Sequence, residues 1–208
     1  MKEPGGDKSR RELIRLGLAL MFLVGIVLFL MTRGGPVNFS LVVAAMIGGY
    51  MALNIGANDV ANNVGPAVGS RALTMGGAIL VAAIFEAAGA LIAGGDVVGT
   101  IKSGIISPQA AANQQVFVWL MTSALLSGAL WLNIATASGA PVSTTHSIVG
   151  GVLGAGVASG GWGIANWEQV GLIAASWVIS PLMGGVIAAA FLYLIKRTIT
   201  YQQDMMAA

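Results

Sequence analysis

The chain has 208 residues, of which 56% are hydrophobic and only 9% are charged, and its formal net charge is +2. Soluble domains carry about a quarter charged residues, so this composition excludes an ordinary soluble protein and indicates a multi-pass, all-α membrane protein. The sequence contains no cysteine, which excludes disulfides, and nothing in its charge points to nucleic acid.

The apolar runs predict the first spans in chain order. Residues 1–13 are polar and are predicted to form a cytoplasmic tail. The run at 14–33 predicts a first, N-terminal transmembrane helix, because no small-residue cleavage site follows it; a removed targeting segment is the alternative. Spans are predicted next at 37–55 and 75–94. Glu86 lies near the middle of the latter, where a charge costs a few kcal/mol, so we expect it to bind a neighbouring helix or an ion.

A cluster of polar side chains follows the second span: Asn58, Asp59, Asn62 and Asn63. Spacings of three and four residues place them on one face if this segment is helical. Carboxylate and amide oxygens near membrane depth suit a hard cation, and Gly56, Gly65 and Pro66 are expected to let the helix break beside them. The alternative is a polar helix end that lies in the headgroup region.

A second polar segment, Pro-Val-Ser-Thr-Thr-His-Ser at 141–147, predicts the start of a half-helix. Ser143 is a suitable N-cap, and the free N–H groups of a first turn form an anion site. The hydroxyls of Ser143, Thr144 and Thr145 would add donors without fixed charge. The alternative is a capped, hydroxyl-rich helix that only packs against its neighbours. His146, the single histidine, is expected to orient the loop or to titrate.

The remaining segments predict the topology. Residues 116–158 form either a re-entrant hairpin, which we favour, or two full spans. A last span is predicted at 168–196, and 198–208 is a cytoplasmic end. Of the ten Lys and Arg residues, eight then fall on the side of the N-terminus and two on the other. The positive-inside rule therefore predicts a plasma (inner) membrane protein with a cytoplasmic N-terminus.

Several motifs occur in an order that is typical of one family. They are Gly-Ala-Asn-Asp-Val-Ala-Asn at 56–62, Gly-Ser-Arg-Ala-Leu-Thr at 69–74, the segment 141–147, and Trp-Val-Ile-Ser-Pro at 177–181. With them the chain resembles the PiT-type inorganic phosphate transporters, which are sodium- or proton-coupled phosphate permeases. Members of that family contain two inverted repeats. The single copy of each motif implies that residues 37–197 are one repeat, the N-terminal half of a transporter. The resemblance also implies that the helix at 14–33 is an extra N-terminal transmembrane helix.

The resemblance implies a function and a role for each candidate residue. It implies symport of inorganic phosphate by alternating access, with no enzyme activity and no cofactor beyond a sodium ion or proton as coupling ion. Phosphate would be bound by Ser143, Thr144, Thr145 and Asn62. The coupling cation would be bound by Asp59, Asn58 and Asn62, with Glu86 and His146 in support.

The expected partners are phosphate, the lipid bilayer and a missing inverted second half or partner subunit, and a homo-oligomer is a further arrangement. Two other functions stay open from the sequence. One is permeation of another oxyanion such as sulfate, and the other is a membrane accessory subunit that transports nothing.

Overall fold

The structure is a computed structural model that describes residues 4–32, 34–35, 37–107 and 113–201. Its long helices are α1 (Pro4–Thr32), α2 (Phe39–Gly69), α3 (Met75–Gly99), α4 (Gln114–Ala137), α5 (Thr144–Gly160) and α6 (Trp167–Ile195). Five helical segments in this described part are long and apolar enough to cross a membrane: Ser9–Thr32, Phe39–Gly69, Met75–Gly104, Gln114–Ala137 and Trp167–Ile199. The prediction of an all-α, multi-pass membrane protein is confirmed.

Side-chain caps define where the helices begin. At each of five N-termini, a side-chain oxygen accepts a hydrogen bond from the backbone N–H three residues later, and so satisfies one of the donors that a first turn leaves open. The capping residues are Asn38, Thr74, Asn113, Ser143 and Asn166. All are short polar residues, which favour this position because their side chains reach the local backbone.

The first helix is longer than the sequence predicts. Residues 4–13, which were expected in a polar tail, are helical and continuous with the apolar part of α1. Pro4 is compatible with this start, because the first turn of a helix does not use the N–H that proline lacks. Leu23 and Ile26 of α1 pack directly over Gly49 of α2, where a Cβ would lie 2.5 Å from the Ile26 side chain.

The expected break in the second helix is wrong. α2 runs without interruption from Phe39 to Gly69 and contains Pro66 within its length. Proline removes the N–H that would bond to the carbonyl of Asn62, but one missing bond near the end of a long helix does not end it. The chain leaves the helix only after Gly69, where Arg71 takes a left-handed backbone conformation with φ of 62°.

The third helix also extends beyond its predicted span of 75–94. It continues to Gly99 and then through a wider helical turn at Thr100–Gly104. The hydroxyls of Thr100 and Ser103 donate back to the carbonyls of Asp96 and Gly99, so these polar side chains are satisfied within the helix. Asp96 therefore lies within the helix, beyond the predicted end of the span at residue 94.

The core of the unit formed by residues 1–165 lies between α2, α4 and α5. Met51 of α2 is buried against Ala129 and Leu132 of α4. Partly buried apolar side chains surround these three: Tyr50, Ile55, Leu125, Val142 and Ile148. The packing fixes α2 beside the hairpin of α4 and α5.

The two arms of this hairpin are antiparallel and very close. A Cβ at Gly151 of α5 would lie 2.7 Å from the carbonyl oxygen of Ala124 in α4, and one at Gly128 would lie 3.6 Å from the carbonyl oxygen of Ser147. Only glycine permits such an approach at position 151. At the other end of α5, Ile105 and Ile106 are fully buried, and Ile106 bridges to Ala165. The base of the hairpin is thus fixed by the segment after α3.

Residues from Asn166 onwards form a separate unit that contains α6. Asn166 caps this helix by accepting a hydrogen bond from the N–H of Gln169 at 3.1 Å. Pro181 lies inside the helix, which continues past it to Ile195 and then through a wider turn at Lys196–Thr200.

Candidate functional site

Three amide side chains of α2 form a row along one side of the helix. Asn54, Asn58 and Asn62 follow one another at intervals of four residues, so each lies about one turn from the next. The amide nitrogen of Asn62 donates to the side-chain oxygen of Asn58 at 3.0 Å. Asn58 is only 4% exposed, whereas Asn62 is exposed. The row therefore leads from the protein interior to an open surface.

The hairpin turn between α4 and α5 places backbone groups opposite this row. The N–H of Ala140 donates to the carbonyl of Ala135 at 2.8 Å, and the N–H of Gly139 donates to that of Thr136 at 3.1 Å. This is the bonding pattern of a Schellman cap, and it requires the left-handed residue supplied by Gly139, whose φ is 70°. The turn ends at Ser143, which caps α5 by accepting from the N–H of His146 at 3.2 Å.

Two hydrogen-bonded contacts bring α2 and the hairpin together. The amide nitrogen of Asn58 donates to the hydroxyl of Thr136 at 3.1 Å and lies 3.5 Å from the carbonyl oxygen of Ala140. The hydroxyl of Thr144 donates to a carboxylate oxygen of Asp59 at 2.9 Å, across a sequence separation of 85 residues. The two polar segments that the sequence singles out therefore meet at one place.

The cluster carries one negative charge among neutral oxygens. Asp59 supplies the carboxylate, and Asn58, Thr136 and Thr144 supply amide and hydroxyl groups. In the part of the chain that the structure describes, no group of three or more His, Cys, Asp or Glu side chains is positioned to hold a metal ion. A single carboxylate with neutral oxygens suits a weakly held alkali cation better than a transition metal.

The side of the cluster nearest the hairpin tip, residues 138–143, carries hydrogen-bond donors. Ser143 and Thr145 are exposed at the start of α5, and Thr144 between them is buried. The first backbone N–H groups of a helix, with the positive end of its dipole, favour an anion. The interruption of regular helix near the site thus comes from the hairpin tip at 138–143 and not from a break in α2.

The structure places the predicted residues in three groups. Asn58, Asp59 and Thr144 are joined directly across the two elements, and Asn62 is joined through Asn58. Ser143, Thr145 and His146 lie on the same turn with exposed side chains. Glu86 is exposed on α3, and no hydrogen bond between described residues connects it to the cluster.

Four groups in this region were not predicted as parts of the site: Asn54, Asn133, Thr136 and the carbonyl of Ala140. The amide of Asn133 in α4 donates to the side chain of Asn54 at 3.2 Å, and Asn54 donates to the carbonyl of Tyr50 at 2.8 Å. The four-residue repeat in α2 could have indicated Asn54. The Ala140 carbonyl has no sequence signal, because the turn geometry positions it.

Comparison with known proteins adds to this geometry. Residues 55–208 match the profile of the phosphate transporter family. A Helicobacter pylori (strain J99) protein named "Putative phosphate permease" is 54% identical over 208 residues, which cover 99% of this chain and 39% of that protein. A Mycobacterium bovis protein of similar name is 49% identical over 168 residues, covering 76% of this chain and 30% of that protein.

A solved structure, "The sodium-dependent phosphate transporter", has a TM-score of 0.75 and 39% identity, and the match covers 81% of this chain and 42% of that one. The chain thus spans about two fifths of the length of such relatives. The comparisons confirm the resemblance found in the sequence. The matched proteins are named as permeases and transporters, which supports the expectation that the chain is not an enzyme. The roles of the individual residues stay predictions.

Proposed function

The chain belongs to the phosphate transporter family, and from this membership and the geometry of the site we propose that it forms one half of a sodium-coupled carrier of inorganic phosphate. The observation that carries the proposal is the hydrogen bond from Thr144 to Asp59. It joins a cluster suited to a cation with a helix start suited to an anion, as a symporter requires.

The phosphate site in this proposal is the open side of the hairpin tip. Ser143, Thr144 and Thr145 offer hydroxyls at the first turn of α5, and Asn62 offers an amide from α2. None of these groups carries a fixed positive charge, so they can hold phosphate without making its release slow. The helix N-terminus supplies the remaining attraction through its N–H groups and dipole.

The coupling-cation site in this proposal is centred on Asp59, with Asn58 and Asn62 as neutral partners. Sodium is favoured over a proton because the solved relative is named for its sodium dependence. A cation at Asp59 would offset the charge of phosphate in a setting where an unbalanced charge is costly. Glu86 and His146 are proposed only as supporting residues, and neither is needed for the two sites described.

The second half of the carrier is proposed to be an inverted copy of this repeat, on the same polypeptide or on a partner. The chain matches only 42% of the solved relative, which supports a carrier that consists of two halves. Asn62, Ser143 and Thr145 are exposed, so a facing repeat can complete the site. A parallel homodimer would not reproduce the inversion. We call this chain together with its inverted half the assembled transporter.

The hairpin is proposed to be re-entrant, with its tip inside the bilayer. The proposal rests on α5, which has 17 residues and is therefore about 26 Å long, less than the roughly 30 Å of the hydrocarbon core; the other arm, α4, is long enough to cross. The charge distribution supports a plasma-membrane orientation with the N-terminus in the cytoplasm. Phosphate would then be released alternately on either side as the repeats move against each other.

The test is uptake of labelled phosphate into proteoliposomes that contain the chain alone or the assembled transporter. We expect uptake driven by an inward sodium gradient once both halves are present. Uptake driven only by a pH gradient would show that the coupling ion is a proton and not sodium. Stronger competition by sulfate than by unlabelled phosphate would show that the substrate is sulfate. Absence of uptake in every arm would refute transport and leave an accessory role.

A further inference from the structure

We infer that Thr144 is the residue that couples sodium binding to phosphate binding, because its single hydroxyl proton serves the two sites in alternation. The inference rests on the proposed function and adds a mechanism to it. The hydroxyl donates a hydrogen bond to Asp59, and a cation bound at Asp59 turns the hydroxyl proton toward the anion. Thr144 is thus a positioning residue for both ligands.

The geometry of the hydroxyl supports the first half of this inference. Thr144 is 9% exposed, and its Oγ1 donates to Oδ2 of Asp59 at 2.9 Å. A threonine hydroxyl has one proton and two lone pairs, so it cannot donate to the carboxylate and to phosphate at once. Hydrogen bonds to a charged acceptor are about twice as strong as neutral ones, which favours the bond to Asp59 while that carboxylate carries no cation.

Cation binding reverses this preference. A sodium ion bound by both Oδ2 of Asp59 and Oγ1 of Thr144 lies between these two oxygens, because both are hard oxygen ligands. The hydroxyl proton must then point away from the cation. Thr144 is the first residue of α5 and is flanked by Ser143 and Thr145, so we assign the turned proton to a ligand held at the start of this helix. No covalent bond changes; only the hydroxyl rotates.

The neighbouring hydroxyls differ from Thr144 in the contacts they make. Ser143 accepts a hydrogen bond from the N–H of His146 and keeps its own proton for a ligand whether or not sodium is present. Thr145 is exposed, and no hydrogen bond connects it to Asp59. Both can contribute to phosphate affinity, but neither can transmit the presence of a cation. This contrast supplies matched controls.

The experiment measures the equilibrium affinity of the purified assembled transporter for labelled phosphate, with sodium and with sodium replaced by choline. The ratio of the two dissociation constants is the coupling factor, and linkage requires that phosphate raise sodium affinity by the same factor. Labelled sodium binding with and without phosphate provides that second measurement. The variants are Thr144→Val, which keeps the shape without the hydroxyl, Thr144→Ser, which keeps the hydroxyl, and Thr145→Val as the control.

We expect a coupling factor on the order of 10 in the unchanged protein, within the usual range for linked sites. Thr144→Val should lower it to about 2 or less while sodium still binds at Asp59, and Thr144→Ser should keep it. Thr145→Val should weaken phosphate binding equally with and without sodium. If Thr144→Val does not fold, Thr144→Ala serves in its place, since alanine suits a helix start and lacks the hydroxyl.

The outcomes separate this inference from the proposed function. A Thr144→Val protein that keeps the full coupling factor overturns the inference and leaves phosphate transport intact. Phosphate binding by the unchanged protein that is independent of sodium also overturns it. If the unchanged assembled transporter binds no phosphate under either condition, the proposed function fails, and the inference fails with it.

Discussion

Asn58 joins α2 to the hairpin through neutral groups, and its loss should weaken that contact. Its amide donates to Thr136 at 3.1 Å and its oxygen accepts from Asn62 at 3.0 Å, while the contact with Ala140 at 3.5 Å is at the limit for a hydrogen bond. Counting the two well-formed bonds at about 1 kcal/mol each, Asn58→Leu should lower the free energy of unfolding by about 2 kcal/mol. That corresponds to a change of roughly 30-fold in the unfolding equilibrium.

The assay is denaturant unfolding of the purified chain in detergent micelles, with Asn63→Leu as the control. Asn63 lies on the same helix and is exposed, and no hydrogen bond between described residues depends on its side chain. The control variant therefore adds the same apolar group without removing a contact. A loss for Asn58→Leu that is within about 0.5 kcal/mol of the control would refute the reasoning, because that is the ordinary scatter of surface substitutions.

Three further predictions concern the site and the hairpin. Asp59→Asn should abolish sodium-driven phosphate uptake, since a neutral amide no longer attracts the cation; full coupled uptake would remove Asp59 from the cation site. A double change of Ser143 and Thr144 to Ala should lower phosphate affinity in a direct binding assay, and an unchanged affinity would place the anion elsewhere. Gly151→Val should cost about 1–3 kcal/mol in the same unfolding assay, because its Cβ meets the backbone of the other arm. Gly150→Val, where no neighbour lies within 4 Å of the added Cβ, should cost markedly less, and equal losses would contradict the close packing.

The sequence predicted best what depends on neighbours along the chain. The shared face of Asn58 and Asn62 follows from helical spacing, and the structure joins the two by a hydrogen bond. Ser143 was identified as an N-cap because serine before a helical run satisfies the first-turn N–H groups, and it caps α5. Both signals are local, so one sequence is enough to read them.

The sequence predicted less well what depends on packing and on turn geometry. Spacing alone does not show that Asp59 meets Thr144, because the two are 85 residues apart and only the tertiary fold joins them. Pro66 was read as a break because proline often ends a helix, but α2 continues through it. The carbonyl of Ala140 reaches Asn58 because of the backbone path of the turn, and a backbone atom leaves no pattern in the side chains.

The contact of Gly151 with the backbone of Ala124 determines how the hairpin can transmit a displacement. The two arms touch through main-chain atoms at this point, so neither can slide past the other as arms separated by flexible side chains can. α5 is therefore held at both ends. Its last turns pack against Ile106 and Ile164, where a Cβ at Gly156 or Gly160 would meet these side chains, and its first residue, Thr144, donates to Asp59. A movement that separates Thr144 from Asp59 consequently has to carry α4 along with α5.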